Sequence, residues 1–355
     1  MITRFRRYLV LLAAFGLAAA GTGPTPPTQP ATGPGGAEYS HKQVTKQKFG
    51  QGDTEYWLFQ PADPDAESAP VIVFLHGWSG VNPMVYGGWI NHLVRRGNIV
   101  IFPRYQATLK TPPRDFAPNA IAAVKDALSV LANQKRMHDM MGRFAVVGHS
   151  AGGITAANFA ALAAKNGLPV PKAVFCIEPG KTWTLSKIIA VPLVDLSKIP
   201  AQTLLLTAAG DRDHLAQDVD AKKIYEGATQ VPKANKNFVL FVSDDHGKPP
   251  LVANHYAPLS PDKEFDSGER RSSAQTQHPM LNRDNSELPK LDEPETGSMM
   301  TNALDYYGYW KLFDALCDAA FYGKNREYAL GNTPQQRSMG KWSDGTPVKE
   351  LVIER

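Results

Sequence analysis

The chain is poor in the residues that would support several whole classes of function. Two cysteines in 355 residues, Cys176 and Cys317, cannot build a four-cysteine zinc site or a disulfide-dense scaffold. Charge is nearly balanced, with Lys+Arg 38 against Asp+Glu 34, so no excess of one sign points to nucleic acid. No GxxxxGK[ST] phosphate loop, no HExxH helix and no repeat of 20–50 residues is present. The acidic residues Asp211, Asp213, Asp218 and Asp220 do not have the spacing of an EF-hand loop. No cofactor or metal is therefore expected. The composition itself is ordinary for a globular protein, with 43% hydrophobic and 20% charged residues.

The N-terminus stands apart from this. Arg4, Arg6 and Arg7 precede an apolar run from Tyr8 to Ala20 that ends in Ala18-Ala19-Ala20. Thirteen residues span roughly 20 Å as a helix, short of the ~30 Å membrane core. The pattern is that of a cleavable secretory signal over residues 1–20, which predicts a secreted or periplasmic protein with no stable membrane insertion. Setting aside those three arginines leaves 35 basic against 34 acidic residues. Residues 21–37, rich in Gly, Pro and Thr, read as a flexible linker.

Strand and helix patterns alternate from there on. Val71–Leu75, Asn98–Phe102, Phe144–Val147, Ala173–Ile177, Thr203–Thr207 and Phe238–Val242 are apolar runs suited to strands buried on both faces. Ile121, Val124, Leu128 and Leu131 form a helical stripe, as do Phe313, Leu316, Cys317, Ala320 and Phe321. Met84 to Arg96 reads as a helix weakened by Gly87-Gly88. This predicts an α/β fold, a mainly parallel central sheet with helices on both faces, in one domain over residues 38–325. A polar, Pro-rich insertion over 248–300 is a candidate lid, and 326–355 reads as a tail. Both cysteines fall on core positions and are expected to be free thiols.

The strongest chemical signal is Gly148-His149-Ser150-Ala151-Gly152, directly after a buried strand and before a helix. A serine on so sharp a turn projects its Oγ, and glycines two before and two after leave room for the crowded backbone. The nucleophile needs a base, and the base an orienting acid. Asp213 follows the strand ending at Thr207, with Asp211 and Glu178 as competing acids. His246 follows the strand ending at Val242 immediately, whereas His255 lies nine residues further into a loop; His214 and His278 are weaker candidates.

With the order Ser150, Asp213, His246, the chain resembles the α/β-hydrolase superfamily, in particular its bacterial secreted esterase, chlorophyllase-like and polyester-hydrolase branches. The resemblance implies an α/β-hydrolase fold and a Ser-His-Asp triad. It also implies an oxyanion hole from the backbone N–H groups of Trp78, in His76-Gly77-Trp78, and Ala151. Trp78 is also the candidate substrate contact. The implied activity is hydrolysis of a small-molecule or polymeric carboxylic ester through an acyl-enzyme. The same triad would serve a peptidase or amidase, and a binding module on the same fold is the non-enzymatic alternative.

Overall fold

Apolar β-branched runs assemble the centre of the molecule, in a computed structural model that describes residues 23–66, 68–134, 142–182, 190–268 and 299–354. The strands are β1 (Gln43–Phe49), β2 (Tyr56–Ala62), β3 (Val71–Leu75), β4 (Ile99–Pro103), β5 (Phe144–His149), β6 (Ala173–Ile177), β7 (Leu204–Gly210), β8 (Lys236–Phe241) and β9 (Val352–Glu354). They form one sheet in the order β1-β2-β4-β3-β5-β6-β7-β8-β9. From β4 through β8 every pairing is parallel, while β1, β2 and β9 join antiparallel at the two ends. The expected mainly parallel α/β architecture is what the chain adopts.

Alternation along the strands divides the core in two. On one face Ile72, Phe74, Val147, Phe175, Leu206 and Val239 pack with Trp89 and Ile90 of α1 (Gly87–Arg95) and Phe313 and Leu316 of α5 (Trp310–Tyr322). On the other, Val71, Val73, Val146, Val174 and Leu205 pack with α2 (Phe116–Asn133), α3 (Ala151–Leu162) and Ile224 of α4 (Val219–Gly227). Cys176 belongs to the second layer and Cys317 to the first, so the sheet separates two buried free thiols. Among the described residues no helix is long and apolar enough to cross a membrane.

The helix expected over Met84 to Arg96 is a 3₁₀ turn, Pro83–Tyr86, followed by α1. Gly87 and Gly88 are explained by a close crossing. A Cβ on Gly87 would meet Asp262 Cβ at 2.7 Å, and the Gly88 N–H donates to the Ser260 carbonyl at 2.7 Å. Residues 248–268 thus lie against the body, while most of the rest of the candidate lid, 269–298, and the candidate signal, 1–20, lie outside the described residues.

Two boundary expectations need correction. Residues 23–37 are not a free tether. The Thr25 N–H donates to Ser343 Oγ at 2.9 Å, the Pro24 carbonyl accepts from Lys248, and the Gly35 N–H donates to the buried Asp314 carboxylate at 2.8 Å. A segment without large apolar side chains docks here through its backbone, and prolines with fixed φ have less entropy to lose on ordering. Nor is 326–355 a detached tail. It contains α6 (Pro334–Arg337), buries Trp342 and Leu351, and ends as β9 on β8. The Lys311 Nζ from α5 donates to the carbonyls of Gln335, Gln336 and Ser338, anchoring this segment from the core.

Candidate active site

The β5–α3 turn is as tight as its glycines suggest. Ser150 has φ 57° and ψ −124°, a conformation that costs a non-glycine residue energy and is found where function demands it. A Cβ on Gly148 would lie 2.1 Å from the Gly152 carbonyl oxygen, and one on Gly152 would lie 2.1 Å from the Leu75 oxygen and 2.4 Å from that of His76. Both positions therefore exclude any side chain. The second contact presses the start of α3 against the end of β3, where the His76-Gly77-Trp78 loop begins.

The partner of Ser150 is His255. Its Nε2 lies 2.9 Å from Ser150 Oγ, and its Nδ1 lies 2.9 Å from Asp213 Oδ2. The other Asp213 oxygen accepts from the Leu215 and Ala216 N–H groups, each at 2.8 Å. Burial opposes ionisation of Asp213, but the His255 hydrogen bond and charge, with those two backbone donors, outweigh it and hold the carboxyl below its usual range. The expected base, His246, is not brought to the serine. It is an exposed residue paired with Asp344 at 2.8 Å.

The reason lies in the path after β8. Asp244 and Leu251 pair through two backbone hydrogen bonds, of 2.8 and 2.9 Å, and the residues between them loop outward to the N- and C-terminal segments. The chain then returns: the Arg212 N–H donates to the Ala253 carbonyl at 3.0 Å, which sets His255 over Asp213. The return had a sequence signature in the apolar Leu251-Val252-Ala253, whose Leu251 and Ala253 enter the core.

Two further groups stand close behind His255. His149 places Nε2 2.9 Å from the His255 carbonyl, which can only accept, so Nε2 carries the proton. Its Nδ1 then accepts from the Tyr86 hydroxyl at 2.9 Å, which in turn accepts from the Gly77 N–H at 2.8 Å. Burial, then the neighbouring His255, pushes the His149 pKa down to about 3, in keeping with that neutral ring. Glu178 follows β6 directly, at φ 45°. Its carboxyl is pushed well above the usual range by burial and by Asp213, although a 2.9 Å hydrogen bond from Tyr309 opposes the shift. It stays 3.9 Å from His255 Nδ1, against 2.9 Å for Asp213. Asp211, the third candidate acid, is engaged with Ser243 instead.

His149, Glu178 and His255 also bring possible metal-ligating atoms within 4.8 Å of one another. All four ring nitrogens are already engaged, with Tyr86, the His255 carbonyl, Asp213 and Ser150, so a cation would have to displace the hydrogen bonds that build the site.

Trp78 is half-buried, with its ring tilted against Phe116 at 5.4 Å. The backbone N–H groups of Trp78 and Ala151 donate to no acceptor among the described residues. A buried serine at a strained strand–helix turn, hydrogen-bonded to a histidine that is itself fixed by a carboxylate, is the constellation of acyl-transfer hydrolases. Residues 72–232 match a family model described as alpha/beta hydrolase fold, and the mainly parallel sheet with helices on both faces agrees with that fold. The match includes Trp78, Ser150 and Asp213; His255 lies beyond its end. No curated protein matches the sequence.

Proposed function

We propose that the protein is a serine hydrolase that cleaves carboxylic esters through an acyl-enzyme. The observation that carries this reading is the unbroken chain of hydrogen bonds from Ser150 Oγ through His255 to Asp213. Ser150 Oγ attacks the acyl carbonyl while its proton passes to His255 Nε2. Asp213 holds the Nδ1–H tautomer and stabilises the imidazolium that forms. His255 then protonates the departing alkoxide, leaving an ester on Ser150, and a water deprotonated by His255 cleaves it. The backbone N–H groups of Trp78 and Ala151, whose loops meet at Gly152, receive the developing oxyanion in this reading.

Residues 178–203 between β6 and β7 are too few for a separate folded cap, which supports bulky or polymeric esters as substrates where 248–300 leaves the site open. The basic and apolar start of the sequence supports export. The test is hydrolysis of p-nitrophenyl esters by the wild type and by Ser150→Ala, with folding checked by circular dichroism. Turnover in the variant equal to wild type would refute the reading.

A further inference from the structure

His76 is fully buried at the end of β3, and both its ring nitrogens face carbonyl oxygens. Nδ1 lies 2.7 Å from the Gly77 oxygen and Nε2 lies 2.9 Å from the Arg104 oxygen. A carbonyl only accepts, so a ring nitrogen facing one contributes to the hold when it carries the proton. The Tyr105 ring lies flat against it, with centroids 4.1 Å apart and planes 7° apart, which fixes the plane of the imidazole. The Tyr105 hydroxyl donates to the His76 carbonyl as well.

The consequence falls on the next peptide. The Gly77 carbonyl is held by His76 Nδ1–H and by the Gly80 N–H at 2.9 Å. The Gly77–Trp78 bond is not among the cis peptides, so its N–H points opposite to its carbonyl. Fixing the oxygen toward His76 therefore turns the Trp78 N–H away from that ring, and it meets no acceptor among the described residues. Gly77 itself stands against the nucleophile, since a Cβ there would lie 3.3 Å from Ser150 Cβ.

We propose that His76 is a positioning residue for the oxyanion hole: its Nδ1–H grips the Gly77 carbonyl and so aims the Trp78 N–H at the acyl oxygen. This rests on the serine-hydrolase reading. The two ring nitrogens have separate duties. Nδ1 orients the donor peptide, whereas Nε2 ties the loop to the residue after β4. An asparagine reproduces the Nδ1 position and a glutamine the Nε2 position, so the two variants divide catalysis from structure.

The experiment is steady-state hydrolysis of a p-nitrophenyl ester by wild type, His76→Asn, His76→Gln and Ser150→Ala, each checked for folding by circular dichroism and urea unfolding. Losing one oxyanion donor typically lowers kcat ~10²–10³-fold. His76→Gln is expected to fall by that much with KM within about threefold, and His76→Asn to stay within about tenfold of wild-type kcat. Equal losses in the two, or an effect on KM alone, overturn the proposal. If His76→Gln does not fold, His76→Asn decides alone: a loss of ~10²-fold or more is contrary. If neither folds, His76 serves the fold itself and the positioning role is refuted. Ser150→Ala retaining wild-type turnover would instead refute the underlying hydrolase reading.

Discussion

Acidification should weaken this protein through one buried ring, and His149→Gln isolates it. His149 is fully buried, with a pKa pushed down to about 3, while the unfolded chain leaves a histidine near ~6.5. Below that value the unfolded state binds a proton that the folded state refuses. The stability His149 contributes is thus fully present above pH ~6.5 and is lost as the pH falls toward 3, at ~1.4 kcal/mol per pH unit. With these two values the loss is about 2 kcal/mol at pH 5 and about 3 kcal/mol at pH 4. Glutamine offers a donor to the His255 carbonyl but does not titrate, so the variant should lack this slope whatever its stability at pH 7. Urea unfolding of both proteins at pH 7, 6, 5 and 4, compared as a difference, cancels the other titrating groups. Parallel stability–pH curves would refute the claim that this ring is held neutral.

Three further outcomes follow from the geometry. Gly152→Ala puts a Cβ 2.1 Å from the Leu75 oxygen and must part α3 from β3 by about 1 Å, so kcat should fall ~10²-fold or more even where circular dichroism shows a folded chain. Lys311→Met leaves the carbonyls of Gln335, Gln336 and Ser338 without their donor, and urea unfolding should register a loss of at least ~2 kcal/mol. Asp213→Asn should lower kcat ~10⁴-fold in steady-state ester hydrolysis, because the amide favours the wrong His255 tautomer.

The legible parts of the molecule were those whose physics is local. Ser150 was marked by glycines that cannot carry a side chain and by a buried strand ending beside them. Asp213 was marked by its place just past the end of β7. His255 was missed because distance along the chain after β8 stood in for distance in space. The Asp244–Leu251 pairing folds that excursion back, and no short-range pattern encodes it beyond the apolar triplet before His255. The same holds at the ends. β1 has the polar sequence Gln43–Phe49 and is a strand because β2 offers it an edge, not because its own pattern alternates. Residues 23–37 dock by backbone hydrogen bonds to partners 279 and 318 positions away, Asp314 and Ser343, which composition cannot reveal. His76 and His149 take their roles from carbonyls brought close only by the fold.

The central claim is that Ser150 is activated by His255 and not by His246. The most direct measurement is the rate and site of fluorophosphonate labelling in the wild type, His255→Gln and His246→Gln, read by mass mapping of the modified peptide. The predicted result is a single adduct on Ser150, labelling slowed by at least ~10³-fold in His255→Gln, and a wild-type rate in His246→Gln, whose side chain reaches only Asp344 at the surface. An adduct on another residue, or slow labelling in His246→Gln with a wild-type rate in His255→Gln, would contradict it.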